Sequence, residues 1–408
     1  MNKLFTLTAL GTILAASAAN AAGFHLREQS PAAQGNAFAG ATAGAENASY
    51  AYFNVAGLTR QKGTQINMGG TYIAPEASAS NIEARGLGGE GERGEIQNIV
   101  HSAVAPNGTV SYQLNDDVTL GVALNIPFGM ITKHNPGWAG AAHGNTSRVT
   151  AVTTTPMVAW KATDKLSIGA GLPIQYVRAR LTSRAAPSSA ATDVAIHGDT
   201  VDIGYQLGAL YEFTDATRLG VAYRSEINHK IKGKIDLASG SQDIFARLDL
   251  PAMLSTGIYH DINDKWAVMA EYQRVFWSSF DTLDIVGDGN PFYNRTWENW
   301  EDSDFFSVGA SYQIDDQWKA RFGLAYDQGA VKIDSRTPRI PDSDRIWYSV
   351  GLNYQYNDNL SFDMAFTYID AKKAVVDTAL TQNQNGRDVY AEYSNSVKMW
   401  GLSMNYKF

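Results

Sequence analysis

His134 and His143 lie close in sequence to Ser147, and a nucleophile with a nearby base is what a hydrolase needs. No G-x-S-x-G segment occurs in the chain, and neither histidine has an orienting partner beside it, so this pairing stays an alternative and no catalytic residue is expected. The seven histidines, at 25, 101, 134, 143, 197, 229 and 260, never fall four apart, and none shows metal-ligand spacing. Gly86-x-Gly88-x-x-Gly91 has dinucleotide-loop spacing but sits in a Glu-rich stretch with no helix to follow, so it reads as loop glycine. No metal and no cofactor are expected. Zero Cys removes disulfides, thiolate metal sites and a Cys nucleophile. Lys+Arg 33 against Asp+Glu 41, with a net charge of -8 and no basic run of five, speaks against nucleic acid as a partner.

With so little catalytic chemistry on offer, the elements themselves carry the information. Asn2 and Lys3 open the chain, Leu4 to Ala16 is apolar apart from Thr and Gly, and Ala19-Asn20-Ala21 offers an A-x-A cleavage site. Residues 1–21 therefore read as an export signal, leaving a mature chain that starts near Ala22. No later apolar run reaches the length of about 18 residues that a membrane helix needs.

Period-two alternation dominates the rest. Trp400, Leu402, Met404, Tyr406 and Phe408 alternate with small and polar residues to an aromatic C-terminus, the ending of outer-membrane barrels. Upstream, apolar alternation recurs in pairs such as Val118-Leu120-Val122-Leu124-Ile126 after Val110-Tyr112-Leu114. Six short turns, at 115–117, 163–165, 214–217, 263–265, 315–317 and 357–359, join the members of each pair, and Asn, Asp and Thr suit such bends. Between them lie longer stretches rich in Gly, Ser, Asn and Pro, around 78–100, 128–146, 183–198, 230–247, 286–303, 327–342 and 370–393, expected as loops of the opposite rim. Six turns and seven loops connect about fourteen strands. The expected fold is all-β: a transmembrane antiparallel β-barrel over 63–408. The outward face is the even one in most strands and the odd one in Val201-Ile203-Tyr205-Leu207-Ala209-Tyr211. Tyr and Trp near strand ends suit the girdles where amphipathic rings meet lipid headgroups.

Residues 22–62 lack the alternation. Gly35 to Ala45 is small and nearly free of charge, and Phe24, Phe38, Tyr50 and Phe53 are too aromatic for a disordered tail. The expected structure is a plug, or hatch, inside the lumen.

The blocks Gly23-Phe24-x-x-x-Glu28-Gln29-Ser30, Gly35-x-Ala37-x-Ala39-Gly40, Phe53-Asn54-Val55-Ala56-Gly57-Leu58, Arg321-x-Gly323-x-Ala325-Tyr326-Asp327 and Arg339-Ile340-Pro341-Asp342-x-Asp344-Arg345-x-Trp347 resemble the FadL/TodX family of outer-membrane transporters. Those proteins carry long-chain fatty acids and other hydrophobic compounds, and the resemblance covers nearly the whole mature chain. It implies capture on an apolar groove among extracellular loops, here Met130, Ile131 and Trp138. It implies a tighter site holding the ligand at Phe24, Arg178, Arg180 and Arg345, with Pro173 supplying a bulge that turns the two strand arginines inward. The bland reading of Arg178 and Arg180 is a pair of rim cations facing lipopolysaccharide phosphate.

The resemblance further implies lateral release through a kinked third strand at Pro127, Phe128 and Gly129, gated by the hatch residues Asn54, Val55, Ala56 and Gly57. Pro cannot donate to a ladder and Gly bends freely, so a local break there is consistent with the residues. The family's Asn-Pro-Ala triplet reads Asn54-Val55-Ala56 here. A side exit suits an apolar cargo, because each CH₂ kept out of water is worth on the order of 0.8 kcal/mol. The partners implied are a long-chain fatty acid or similar hydrophobic molecule, outer-membrane lipid and lipopolysaccharide, and the outer-membrane assembly machinery. An aromatic-hydrocarbon channel, a general diffusion porin and a purely structural or adhesive barrel are the competing readings.

Overall fold

The computed structural model describes residues 23–85, 93–135, 137–184, 193–384 and 387–408. The expected signal segment and the Gly86-x-Gly88-x-x-Gly91 run lie outside these residues. The described chain forms a closed antiparallel barrel of fourteen strands. In chain order they are β1 (Thr64–Ala84), β2 (Ala103–Gln113), β3 (Val118–Lys133) and β4 (Thr146–Lys161). Four strands follow that are each broken once: β5 (Leu166–Gly171, Ile174–Arg184), β6 (Asp193–Ile203, Gln206–Thr214), β7 (Thr217–Arg224, Ile227–Leu237) and β8 (Gly240–Leu250, Met253–Asp261). Then come β9 (Trp266–Val275), β10 (Ser303–Gln313), β11 (Trp318–Asp327), β12 (Arg345–Gln355), β13 (Leu360–Ala371) and β14 (Val389–Lys407). β1 pairs with β14 from Gln65 opposite Lys407 upward, which closes the ring.

All six short turns are held by the side-chain oxygen of their first polar residue. Asn115, Thr163, Thr214, Asn263, Asp315 and Asn357 each accept from the backbone N–H three residues on, at 2.8–3.1 Å. This is the local reason that those residue types mark the turns. The opposite rim departs from expectation most at residues 230–247, which are no loop but the upper parts of β7 and β8, paired from Ile227–Leu250 to Leu237–Gly240 around a tight bend; strands also run into the expected loops at 78–84, 128–133, 193–198 and 389–393.

The apolar alternation faces outward as expected. Trp400 and Leu402, Phe322 and Leu324, and on odd positions Val201, Ile203, Tyr205 and Leu207, are all exposed to the lipid side. Parity changes only where a ladder gains a residue. β6 pairs with β7 as Gln206–Arg224 below and Asp199–Lys232 above, a slip of one residue at Ser225-Glu226. That slip turns the outward face of β7 from odd to even positions. At Pro173 nothing slips: Met157 stands opposite Gly171 below it and Thr154 opposite Ile174 above.

The segment from Gly23 to Leu58 is almost wholly buried and holds short helical turns at Pro31–Gln34, Ala41–Gly44, Ala48–Tyr52 and Val55–Arg60. It sits so close to the wall that strand glycines make the room. A Cβ on Gly323 would stand 2.1 Å from the Asn36 carbonyl, and one on Gly220 2.0 Å from the Thr42 carbonyl. Buried charge anchors it as well. Glu46 bonds Arg321 at 2.7 Å and Lys319 at 3.2 Å, and Arg321 bonds Asp363 at 2.8 Å. Burial opposes ionisation of Glu46, but Lys319 and Arg321 outweigh it and hold the carboxyl well below the usual carboxylate range.

Candidate ligand cavity and gate

Phe24 is the residue on which plug and cavity meet. Its ring is buried against Phe128 of β3 at 5.9 Å between centroids, Trp277 at 5.0 Å, Phe280 at 6.3 Å and Trp300 at 5.8 Å. The tilted and edge-on geometry is the favourable one for aromatic clusters. Gly23 precedes it with φ +64°, and a Cβ there would collide with Trp300 at 2.5 Å, so this position requires glycine twice over. Its N–H donates to Asp342 Oδ2 at 3.2 Å.

Above Phe24 opens an apolar cavity walled by Met130, Val149, Leu181, Ile231, Leu248 and Ile285 among others. It adjoins a vestibule between the loops, and Glu298, Thr337 and Arg339 line both. These two charges stand at the junction without a direct ion pair. Burial lowers the Arg339 guanidinium to about 10, which leaves it charged at neutral pH, and Glu298 partly offsets the effect. Burial pushes the Glu298 carboxyl up to about 7, against the pull of Arg339. Arg339 is positioned by bonds to the Thr146 carbonyl at 3.2 Å and Ser147 Oγ at 2.9 Å. A cation among apolar walls is the arrangement that receives a carboxylate on an alkyl chain.

Several expected site residues lie elsewhere. Arg178 and Arg180 point outward, because the unshifted register at Pro173 keeps even positions of β5 on the lipid side, with Gln175 and Val177 inside. Arg345 is buried, yet it is spent on Asp342 and on Asp327 at 3.6 Å and does not line the cavity. Trp138 is no groove residue: it is 1% exposed, stacks on His134 at 4.1 Å and donates to the Gly144 carbonyl at 2.9 Å inside a small core made by the loops. Ile131 is half-buried outside the cavity lining, whereas Met130 lines it. Ser147 is held by Arg339 and His134 by Tyr393 at 3.1 Å, so the hydrolase pairing is not assembled. Sequence reasoning missed Arg339, Glu298, Trp277 and Trp300; Arg339 and the acid beyond it were visible only as part of a motif.

The third strand behaves unlike its neighbours. β2 and β3 pair only from Gln113–Thr119 to Gly108–Leu124, although β2 continues on β1 up to Ala103 opposite Ile73. Beyond Leu124 the strand turns inward, its register on β4 shifts between Asn125 and Phe128, and Asn125 to Met130 are all buried. The plug takes up the bonds that β2 gives up. Leu26 N–H donates to the Pro127 carbonyl at 2.8 Å, Gly129 N–H to the Phe24 carbonyl at 3.0 Å, and the Gln29 amide brackets Ile126 at 2.7 and 3.0 Å. Pro127, Phe128 and Gly129 are thus in direct contact with the plug's first residues.

Asn54 caps the turn Val55–Arg60, accepting from Ala56 N–H at 3.0 Å, and its amide donates to the carbonyls of Thr42 at 2.8 Å and Ala209 at 2.9 Å. It staples the plug to β6, with Val55, Ala56 and Gly57 packed behind it. Val55 opens the helical turn, where an N–H has no acceptor within the turn, and Asn54 is extended at φ -150°, ψ 111°. Both conditions suit proline. Val55→Pro is expected to leave thermal stability within about 1 kcal/mol of the parent, because reduced unfolded-chain entropy offsets the lost methyl contacts. Thermal unfolding in detergent checks this; a larger loss would mean that the buried Val55 side chain outweighs backbone geometry.

Residues 12–408 match the profile of the family described as outer membrane protein transport protein (OMPP1/FadL/TodX). Among curated relatives, the 47 kDa outer membrane protein of Pasteurella multocida is 30% identical, and the long-chain fatty acid transport protein of Escherichia coli K12 is 25% identical, each over 99% of both chains. Among solved structures, a FadL homologue of Pseudomonas aeruginosa superposes with a TM-score of 0.87 at 25% identity, covering 95% of this chain and 100% of that one. The Ralstonia pickettii toluene transporter TbuX shares the fold, with a TM-score of 0.70 at 20% identity over 95% of this chain and 99% of that one.

Proposed function

Because this chain belongs to the OMPP1/FadL/TodX family of outer-membrane transport proteins, we propose that it takes up long-chain fatty acids by passive diffusion. The cargo enters the vestibule, passes Glu298, Thr337 and Arg339 into the deep cavity, and leaves sideways where β2 and β3 part. The observation that carries this reading is the cavity's lining: apolar side chains on nearly every side, with a buried guanidinium at the mouth. A plain diffusion pore has no use for either, and the plug fills the lumen that such a pore needs open.

The ladder supports the lateral step. β3 above Leu124 has exchanged β2 for Phe24 and Leu26, so a displacement of the plug's first residues frees Pro127 to Gly129 and leaves a side gap without breaking barrel pairs. Asn107 and Asn125 are the first positions beyond the last β2–β3 pair, and the chain has no Cys, so Asn107→Cys with Asn125→Cys can close this gap. Labelled oleate uptake in a strain lacking its own uptake should fall several-fold when the pair is oxidised and recover on reduction. Uptake that ignores the crosslink would end the lateral route. Uptake of toluene without oleate would move the reading to a hydrocarbon channel.

Glu298 makes acid binding pH-dependent. The charged side chain lining the cavity with it is Arg339, while the His197 side chain lies outward beside Asp236. Below about pH 7 the Glu298 carboxyl is protonated and can donate to a ligand carboxylate; above it the carboxylate repels the ligand and draws on Arg339. Oleate affinity should therefore fall by roughly tenfold per pH unit above pH 7, the limit set by one linked proton, and Glu298→Gln should flatten the profile. Binding titrations between about pH 6 and pH 9 decide it. An identical pH profile in the parent and in Glu298→Gln would remove Glu298 from the site.

A further inference from the structure

Arg178 and Arg180 do not serve the cavity, yet they belong to an ordered feature on the outside of the barrel. Along β5 the outward residues Ile168, Leu172, Ile174 and Tyr176 are exposed apolar side chains. From Leu166 to Tyr176 the strand climbs roughly 25 Å once its tilt is allowed for, the height of the lipid-facing band of such barrels. Tyr205 of β6 and Tyr223 of β7, with ring centroids 6.0 Å apart, belong to the same upper border. Arg178 is the next outward residue above it, at the height where the outer leaflet keeps its headgroups.

The ladders carry cations sideways from there. One row across the strands runs Arg178, Asp199, Lys232 and Phe245; the next runs Arg148, Arg180, His197, Lys234 and Asp243. Directly opposed residues point to the same face, so Arg148 faces Arg180 and, on the next pair of strands, Lys230 faces Arg247. All four are exposed. Like charges directly opposite on neighbouring strands destabilise a sheet, and Lys230 opposite Arg247 on β7 and β8 is such a pair. Of the carboxylates nearby, Asp236 stands 3.6 Å from His197, Asp243 3.9 Å from Lys234, and Asp199 lies opposite Arg178 and Lys232, so cations still outnumber carboxylates on this face. The chain as a whole carries a net charge of -8, so the patch runs against its background.

We propose that this face of β4 to β8 is a binding site for the phosphorylated headgroup of an outer-leaflet glycolipid of the lipid A type. Phosphates lying between the opposed cations remove the repulsion, while the acyl chains lie on the apolar band beneath, against Tyr176, Val201 and Ile203. Charge and apolar surface meet along one line, which selects an anionic amphiphile over a free anion. The inference rests on the outer-membrane setting of the barrel and is independent of its cargo.

The test uses full-length protein purified in detergent and freed of lipid, titrated with bisphosphorylated lipid A, with lipid A stripped of phosphate, and with inorganic phosphate. Native mass spectrometry counts bound lipid, and thermal shift reads stabilisation. The triple variant Arg180→Gln, Lys230→Gln, Arg247→Gln is compared with Lys372→Gln, Lys373→Gln, Lys398→Gln, which removes two cations from the connection after β13 and one from β14. Heat-modifiable migration on gels verifies that both variants are folded barrels. Lipid A should bind the parent and the control alike, and the patch variant on the order of a hundredfold more weakly, since each surface cation is worth about fivefold toward an anionic lipid. Equal binding by both variants would overturn the site. So would equal binding of the dephosphorylated lipid, and stabilisation by inorganic phosphate as large as that by lipid A would make the patch a free-anion site.

Discussion

Arg339→Gln lowers affinity for oleate by on the order of a hundredfold and leaves toluene binding unchanged. The guanidinium is buried at the mouth of an apolar cavity, where a ligand carboxylate that loses its cation is stranded in a low dielectric. Truncating one partner of such a buried charged pair costs about 2–5 kcal/mol. Glu298 deepens the loss, because without Arg339 it is the remaining charged group at the junction between cavity and vestibule and repels the ligand above pH 7. Arg339 also bonds Thr146 and Ser147, so a general loosening of the loops has to be separated from loss of charge. Arg339→Lys does this: it keeps the cation and should restore much of the oleate affinity while losing the fork geometry. Equilibrium binding of both ligands to the purified parent and to the two variants is the measurement. Equal weakening of oleate and toluene would show that Arg339 shapes the cavity and does not hold the acid.

Arg321→Met should release the plug. Arg321 is 2% exposed and holds two buried carboxylates, Glu46 of the plug and Asp363 of β13. Asp363 also accepts from Asn47, Asn353 and Asn405, so the cluster ties the plug to four strands, β11 to β14. Removing the cation leaves Asp363 with no cation and Glu46 with Lys319 alone, and breaking a buried pair in this way costs about 3–5 kcal/mol. The barrel itself is closed by its ladders and survives, so the loss falls on the docking of the plug. Planar-bilayer conductance should rise from near zero to pore-like openings, and the lower-temperature part of the thermal unfolding curve should move down. Adding Glu46→Gln and Asp363→Asn to Arg321→Met should recover most of the plugging, because neutral partners no longer repel. A silent conductance trace for Arg321→Met would mean that the close fit against strand glycines such as Gly220 and Gly323 is enough to hold the plug.

Both variants act on groups that a reading of the chain locates unevenly. The plug was legible because a charge-poor run of small residues has nowhere to go but inside. The Glu46 cluster was not, since Glu46 and Arg321 are 275 residues apart and meet only when β11 closes over the plug. The third-strand break was half legible. Pro127 and Gly129 announce a fault in a ladder, but not that Phe24 and Leu26 supply the replacement bonds.

Alternation with period two, the aromatic C-terminus and the six Asn, Asp and Thr turns determined the class of fold, the number of strands and their pairing by sequence alone. Those features are local: each strand's face is written in its own residues, and each hairpin turn in three or four of them. What only the tertiary structure decided is which side of the wall a charge occupies and which charges meet. Pro173 carried the expected bulge and Ser225-Glu226 the real one, because a slip is a count of residues on two strands at once and neither strand holds that count by itself. The same reason moved Arg178 and Arg180 to the membrane surface. It left the cavity to Arg339, which is carried in by the loop after β11 to meet Phe24, Met130 and Glu298 from three other parts of the chain.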